Sequence, residues 1–280
     1  MEIYHEVTGD GPPLILIHGF CETQAIWKPL KNKLALTNKV YTIDLPGFGK
    51  SPLPARPFSI SDVADLVNDW LAQQQLDEVI IIGHSLGGYV TLALAEHHPE
   101  RLKAFGLLHS TALADDDEKK DSRNKTVEFV KKRGVQVFAE SFVSQLFYLK
   151  NRQRLEKEIA EVTQIAASTS QETLISYMEA MRDRPDRTHV LHQFDNPILF
   201  IAGDQDTSVP IEKSRAQFGF IANPTIEVLA EVGHMGMYEA TQETFQIISR
   251  FVTTLQDDTN DGTTAGILPD RDLKRNLGCG

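Results

Sequence analysis

The fold is decided by Val79-Ile80-Ile81-Ile82-Gly83-His84-Ser85-Leu86-Gly87-Gly88. Its β-branched first half is typical of a buried strand, and the apolar residues 89–95 that follow are typical of a helix. A Gly-x-Ser-x-Gly sequence between a strand and a helix predicts a sharp turn with Ser85 at its tip. The two flanking glycines leave room there, because larger side chains would collide with the neighbouring strand and helix. The turn would present Ser85 to a cleft as a candidate nucleophile.

The composition is that of an acidic globular protein. The 280 residues include 41% hydrophobic residues, enough for a substantial core, and carry a formal charge of −11. The negative charge argues against nucleic acid and against an anionic membrane surface as partners. No apolar run reaches the roughly 20 residues that a membrane-spanning helix needs. We therefore expect a small-molecule partner.

The start of the chain and its cysteines favour a cytoplasmic protein. Met1-Glu2-Ile3-Tyr4 lacks the basic start and the apolar stretch of a secretory signal. Cys21 and Cys279 are the only cysteines, so a disulfide framework is not expected. Both observations are typical of a protein in a reducing compartment.

Strand and helix patterns alternate through the first 110 residues and again after residue 193. Besides the strand before Ser85, apolar segments predict six others, at 2–7, 13–17, 40–44, 104–109, 197–202 and 225–232. Helical patterns such as 59–75 and 239–255 lie between or after them. This alternation predicts an α/β fold, with a mainly parallel sheet covered by helices on both faces.

Residues 111–193 differ because strand patterns disappear and helical periodicity takes over. Apolar residues recur at helical spacing, as in Phe138, Phe142 and Leu146. We interpret this block as a helical cap, or lid, over the carboxyl edge of the sheet. The predicted core then comprises residues 1–110 and 194–256. Residues 257–280, rich in Asp, Gly, Thr and Asn, are expected to form a disordered tail.

Candidate partners for Ser85 follow two later strands. A serine hydroxyl needs a base to remove its proton at pH 7, and a histidine supported by a carboxylate can do so. His234 follows the last strand and Asp206 the one before it, at the edge where an open parallel sheet places its ligand site. Asp204 is the alternative acid. We predict a catalytic set of Ser85, His234 and one of these two aspartates. No His-x-x-x-His or His-Glu-x-x-His pair occurs, so neither a metal nor a cofactor is expected.

Five motifs, in this order, resemble those of the α/β-hydrolases, in particular the compact, lidded members with a His-Gly loop. They are His18-Gly19-Phe20, the segments 44–51, 83–88 and 203–206, and Gly233-His234. The resemblance favours Asp206 over Asp204, because Gly-x-x-Asp followed by Val209-Pro210 matches the acid loop of the family. It thus implies a catalytic set of Ser85, Asp206 and His234. The resemblance implies an eight-stranded sheet with a helical cap inserted after strand 6. It also implies an oxyanion hole formed by the backbone N–H groups of Phe20 and Leu86, with His18 shaping the loop rather than acting as a base.

Two further residues near these strand ends are predicted to contact the substrate. His109 follows a strand, and Met235 follows the candidate base. For His109 a purely structural role is an equally good interpretation.

By this resemblance the chain would hydrolyse carboxylic esters or thioesters through an acyl-enzyme on Ser85. The same triad serves other reactions in the family, so hydrolysis or lysis of carbon–carbon bonds and perhydrolase chemistry are alternatives. A ligand receptor with a slow triad is the non-enzymatic alternative. The sequence leaves the physiological substrate and the oligomeric state open.

Overall fold

The computed structural model describes residues 1–55 and 57–261, with side chains as far as residue 256. The described residues form one seven-stranded sheet with the strand order β1-β3-β2-β4-β5-β6-β7. The strands are β1 (His5–Thr8), β2 (Pro13–Ile17), β3 (Lys39–Ile43), β4 (Val79–His84), β5 (Leu102–Leu108), β6 (Ile198–Gly203) and β7 (Pro224–Leu229). Only β1 runs antiparallel to its neighbour, β3, and every other pairing is parallel.

The central strands are continuous apolar runs because both of their faces are covered. All six residues of β4 and all six of β6 are buried, as expected for parallel strands between two layers of helices. Ile81 of β4 pairs with Ile15 of β2 on one side and with Phe105 of β5 on the other. The carboxyl ends of these strands therefore share one edge of the sheet.

Helices flank the sheet on both sides of the segment between β5 and β6 in the sequence. They are α1 (Lys28–Leu34), α2 (Ile60–Gln73), α3 (Leu86–His97), α9 (Ile211–Phe218), α10 (Gly236–Glu239) and α11 (Thr241–Asp261). Helix α2 begins at a capping box, in which the side chains of Ser59 and Asp62 accept each other's backbone N–H. It packs against α3, the helix that Ser85 precedes.

The segment between β5 and β6 is helical. It contains α4 (Asp117–Arg133), α5 (Val135–Leu146), α6 (Glu156–Ala167), α7 (Gln171–Arg182) and α8 (Thr188–Gln193). Helix α4 packs on α7 and α5 packs on α6. Helix α7 is tied to the loop after β3, since the Tyr177 hydroxyl donates to the Pro46 carbonyl at 2.7 Å and Thr173 donates to Gly47 at 3.0 Å.

The predicted α/β fold with a mainly parallel sheet is confirmed, with one correction. The described sheet has seven strands rather than eight, and the helical segment follows the fifth strand rather than the sixth. The count of eight came from the family resemblance. The sequence itself contains seven apolar segments, and each forms one strand.

Two other features concern the helices and the end of the chain. Helix α11 runs to Asp261, past the expected end of the core at residue 256. The rest of the predicted tail, 262–280, lies outside the described residues. Within the described part of the chain, none of the helices has the length and apolar character needed to cross a membrane.

Candidate active site

Ser85 lies on the tight turn between β4 and α3. Its backbone has φ 49° and ψ −112°, a conformation that residues with a side chain rarely adopt. Four hydrogen bonds hold its backbone: its N–H donates to the Leu108 carbonyl at 3.0 Å, and its carbonyl accepts from Gly88 N at 2.9 Å, from Tyr89 N at 3.3 Å and from Ser110 Oγ at 2.7 Å. The strained turn is therefore fixed by the neighbouring strand and by its own helix.

The glycines on either side of Ser85 are required for steric reasons. A Cβ on Gly83 would lie 2.5 Å from the carbonyl carbon and oxygen of Gly87. A Cβ on Gly87 would collide with the carbonyl oxygen of Ile17 in β2. Strand, turn and helix can approach this closely only without side chains at these positions.

His234 and Asp206 meet at the same edge of the sheet. His234 Nδ1 lies 2.7 Å from Asp206 Oδ2, so the structure pairs His234 with Asp206 rather than with Asp204. The other carboxylate oxygen accepts from the backbone N–H groups of Ser208 and Val209 at 2.8 and 2.9 Å.

The Asp206 carboxylate fixes the tautomer of His234. Burial disfavours the charge on Asp206, but His234 and His109 oppose burial and hold the pKa of Asp206 well below its usual range. An ionised carboxylate only accepts hydrogen bonds, so His234 Nδ1 must donate. The Nε2 nitrogen of His234 then carries a lone pair that can accept a proton.

A second carboxylate–histidine pair lies beside the first. Both members, Glu22 and His84, are buried, and His84 Nδ1 lies 3.0 Å from Glu22 Oε2. His84 Nε2 lies 2.9 Å from the carbonyl oxygen of His234. Because both ring nitrogens of His84 face oxygen acceptors, both must carry hydrogen, and the ring is a cation.

The charges of this second pair stabilise each other. Burial lowers the pKa of His84, but the charge and hydrogen bond of Glu22, with the His234 carbonyl and the charge of Asp206, together raise that pKa above its ordinary value. For Glu22, burial opposes ionisation, yet His84 holds its pKa below the ordinary value. The Glu22 carboxylate also accepts from Gly19 N at 2.6 Å, so the pair joins the His-Gly loop to the backbone of His234.

The residues predicted to contact substrate, His109 and Met235, are buried behind the site. His109 Nε2 accepts from Gly236 N at 3.2 Å, which leaves the hydrogen on Nδ1, 3.5 Å from Asp206 Oδ2. Burial lowers the pKa of His109, in keeping with a neutral ring. Neither residue is among the described residues that line the cavity at Ser85. Their positions favour a structural role.

The His-Gly loop is shaped by His18. Its Nε2 accepts from Leu45 N at 2.9 Å, and its Nδ1 lies 2.7 Å from the Gly19 carbonyl. Because Nε2 accepts, the ring is neutral and both nitrogens are used by the backbone; burial lowers the pKa of His18 in keeping with this. Phe20 follows on this loop. Leu86 is the first residue of α3, where no carbonyl of the same helix can accept its N–H.

A cavity of about 600 Å³ opens over the turn. Ser85 and His234 both line it, together with Phe20. Its other walls come mainly from α4, α5 and α7. Among residues 1–55 and 57–261, no group of three or more His, Cys, Asp or Glu side chains is arranged to hold a metal ion.

The family model described as the alpha/beta hydrolase fold matches residues 12–241. The chain belongs to this family. A pimeloyl-[acyl-carrier protein] methyl ester esterase of Neisseria meningitidis is 26% identical over 260 residues, covering 91% of this α/β-hydrolase and 81% of the relative. A dihydrolipoyllysine-residue acetyltransferase component of an acetoin cleaving system from Pseudomonas putida is 27% identical over 261 residues, covering 89% of this chain and 66% of that protein.

A solved structure is similar over almost the whole fold. A thermophilic esterase from Thermogutta terrifontis has a TM-score of 0.86 and 27% identity, covering 90% of this chain and 93% of the esterase. An esterase relative and an esterase structure both support a hydrolase.

In this α/β-hydrolase the three predicted catalytic residues are brought together. Ser85 and His234 line one cavity, and Asp206 is bonded to His234 from behind. Sequence reasoning missed the Glu22–His84 pair. The only signal for it was an acid three residues after Gly19 and a histidine directly before Ser85.

Proposed function

We propose that this α/β-hydrolase is a serine hydrolase that cleaves carboxylic esters or thioesters by an acyl-enzyme mechanism. One observation carries the proposal. Ser85, held in a strained turn, shares a cavity with His234, and His234 Nδ1 lies 2.7 Å from Asp206. A nucleophile, a base and a carboxylate that orients the base are the parts that such a mechanism requires.

The steps follow from the tautomer of His234. Ser85 Oγ attacks the ester carbonyl carbon while His234 Nε2 takes the hydroxyl proton. The tetrahedral intermediate collapses, and the proton passes from His234 to the departing alcohol or thiol. A water molecule then attacks the acyl-serine with the same histidine as base, which releases the acid and restores Ser85.

The buried charges favour proton transfer to His234. Before the reaction, the carboxylates of Glu22 and Asp206 and the His84 cation leave the four-residue site, Glu22, His84, Asp206 and His234, with one net negative charge. When His234 takes the serine proton, the net charge becomes zero. The carboxylate charge that the His84 cation does not balance therefore stabilises the imidazolium of His234 that forms in the transition state.

The backbone N–H groups of Phe20 and Leu86 are the oxyanion donors in this proposal. Leu86 directly follows Ser85 at the amino end of α3, where the helix dipole favours negative charge. Phe20 lines the cavity from the His-Gly loop. Each such donor typically contributes about 10²- to 10³-fold to turnover.

Residues 111–193 act as the cap that encloses the substrate. Helices α4, α5 and α7 supply most of the cavity wall, including Phe138 and Phe142, whose rings lie 6.4 and 6.1 Å from the Phe20 ring. A cavity of about 600 Å³ suits a small-molecule ester. The similarity to a methyl ester esterase supports this substrate class.

Turnover of short p-nitrophenyl esters by Ser85→Ala tests the proposal. We expect the rate to fall to the background level, while Ser168→Ala, which changes an exposed serine that does not line the cavity, leaves it unchanged. Undiminished activity of Ser85→Ala would remove the serine from the mechanism. Diketone and peracid assays on the same variants measure the carbon–carbon hydrolase and perhydrolase alternatives.

A further inference from the structure

We propose that the cavity contains a subsite for an anionic group of the substrate, a carboxylate or a phosphate, with Arg123 as its main ligand. This inference rests on the proposed ester hydrolysis and names the class of ester: one that carries a negative charge a short distance from the scissile bond.

The first observation is the charge of the cavity wall. The described residues that line it include Lys119, Arg123 and Lys125 from α4, and none of them is Asp or Glu. The chain as a whole carries a formal charge of −11. A positive wall inside an acidic protein attracts an anionic ligand and favours its binding.

The second observation is a buried cluster with an excess positive charge. Arg123 donates through Nε to one oxygen of Asp115 and through Nη2 to the other at 3.5 Å, and Arg184 Nη1 also donates to that second oxygen, at 2.7 Å. Arg123 and Arg184 are 8% and 6% exposed, and Asp115 is 7% exposed. Two guanidinium groups on one carboxylate leave one positive charge uncompensated, a costly arrangement unless an anion joins it.

The third observation is that Arg184 has strong hydrogen-bond acceptors besides Asp115, whereas Arg123 has only weak ones. Arg184 also donates to the carbonyls of Met181 and Leu113 and stacks on the Tyr89 ring at 4.0 Å. In contrast, Arg123 Nη1 faces the thioether sulfurs of Met178 and Met181, at 3.7 and 3.5 Å. A thioether is a weak acceptor, so a carboxylate or phosphate oxygen would be a much better partner for Arg123.

The position of the cluster fits one substrate spanning both sites. Tyr89 lies four residues after Ser85, about one helical turn, or about 6 Å along the axis of α3. Arg123, Met178, Met181, Tyr89 and Ser85 all line the same cavity. A substrate with its ester at Ser85 and its anion at Arg123 therefore needs only a short linker.

Matched pairs of esters test the subsite. The first arm compares kcat/KM for the monomethyl esters of C4 to C7 dicarboxylic acids with that for methyl esters of monocarboxylic acids of equal length. The second arm compares the acetate ester of a hydroxyalkyl phosphate with that of the corresponding alcohol. We expect the anionic member of at least one arm to be preferred about 10- to 100-fold, the usual value of a hydrogen bond to a charged group.

Three variants assign that preference to Arg123. Arg123→Met should reduce the preference for the anionic ester about tenfold or more. This variant is expected to fold, because Arg184 still pairs with Asp115. Arg123→Lys, which keeps the positive charge, should retain part of the preference for the anionic ester. Lys131→Met removes a positive charge from an exposed position of the same helix and should leave the preference for the anionic ester unchanged.

Two results would contradict the proposed anion subsite while leaving the proposed ester hydrolysis intact. One is equal turnover of charged and neutral esters, and the other is an unchanged preference in both Arg123 variants. If no ester is cleaved, the proposed hydrolysis fails, and calorimetric binding of glutarate then decides the subsite alone. Binding that Arg123→Met abolishes supports it, whereas no binding, or binding that Arg123→Met leaves intact, contradicts it.

Discussion

His84 Nε2 lies 2.9 Å from the main-chain carbonyl oxygen of His234. The residue before the candidate nucleophile thus holds the backbone of the candidate base, 150 positions later in the chain. His84 can donate there while also facing Glu22 only as a cation. Glu22 does not line the cavity, so we infer that it acts on His234 through His84, as a positioning residue.

The first prediction concerns Glu22→Gln. A neutral amide cannot stabilise the His84 cation, so the pKa of His84 should fall and its hold on His234 should weaken. We expect kcat to drop about tenfold, the value of a charge-assisted hydrogen bond, with a smaller change in KM. NMR titration of the His84 ring provides a readout that general damage to the fold would not produce. An unchanged His84 pKa would contradict the assignment, and Glu128→Gln, an exposed acid of α4, serves as the control.

The second prediction concerns Asp206→Asn. An asparagine oxygen can still accept from Ser208 and Val209, so the loop and the fold should persist. The amide cannot hold the Nδ1 hydrogen of His234 as an ionised carboxylate does. We expect kcat to fall about 10⁴-fold, as for a histidine in the wrong tautomer. Asp204→Asn should retain most of its activity, and equal losses in the two variants would remove Asp206 from the proposed triad.

The third prediction is a pH dependence of stability. The pKa of His84 is raised from 6.5, so the stability it contributes is complete below pH 6.5 and is lost as pH rises through its folded pKa. The pKa of Glu22 is lowered from 4.5, so its contribution is complete above pH 4.5 and is lost as pH falls. Urea unfolding of the wild type and of Glu22→Gln should therefore differ most between about pH 4.5 and 6.5. A difference that stays constant from pH 4 to 9 would exclude the ion pair.

The fourth prediction tests the turn. Gly83→Ala places a methyl group 2.5 Å from the backbone of Gly87, so the strand and helix must separate. We expect a loss of about 1–3 kcal/mol in the free energy of unfolding, measured by urea denaturation, together with lost activity. Gly219→Ala is the matched control. A Cβ there meets nothing within 4 Å, and its effect should stay within about 0.5 kcal/mol.

Local patterns made the fold and the proposed triad predictable. The apolar run before Ser85, the two glycines beside it and the strand ends before Asp206 and His234 are all visible in short windows of sequence. The strand count of eight was wrong because it came from the resemblance rather than from these patterns.

Pairings between distant residues could not be predicted in this way. Glu22 and His84 are separated by 62 positions, and their places beside Gly19 and Ser85 do not by themselves show that the two side chains meet in a buried ion pair. Arg123 lies in a helix of mixed charges, a pattern typical of a solvent-exposed face, yet tertiary packing buries it against Asp115. Burial and pairing of charges depend on the assembled fold, so they appear only in three dimensions.

Activation of Ser85 by His234 is tested most directly by mass spectrometry after treatment with a fluorophosphonate, which reacts with activated serines. We expect one adduct, located on Ser85 by peptide sequencing, with a labelling rate that falls at least a hundredfold in His234→Gln. Absence of the adduct from Ser85, or the same labelling rate with and without His234, would contradict this activation.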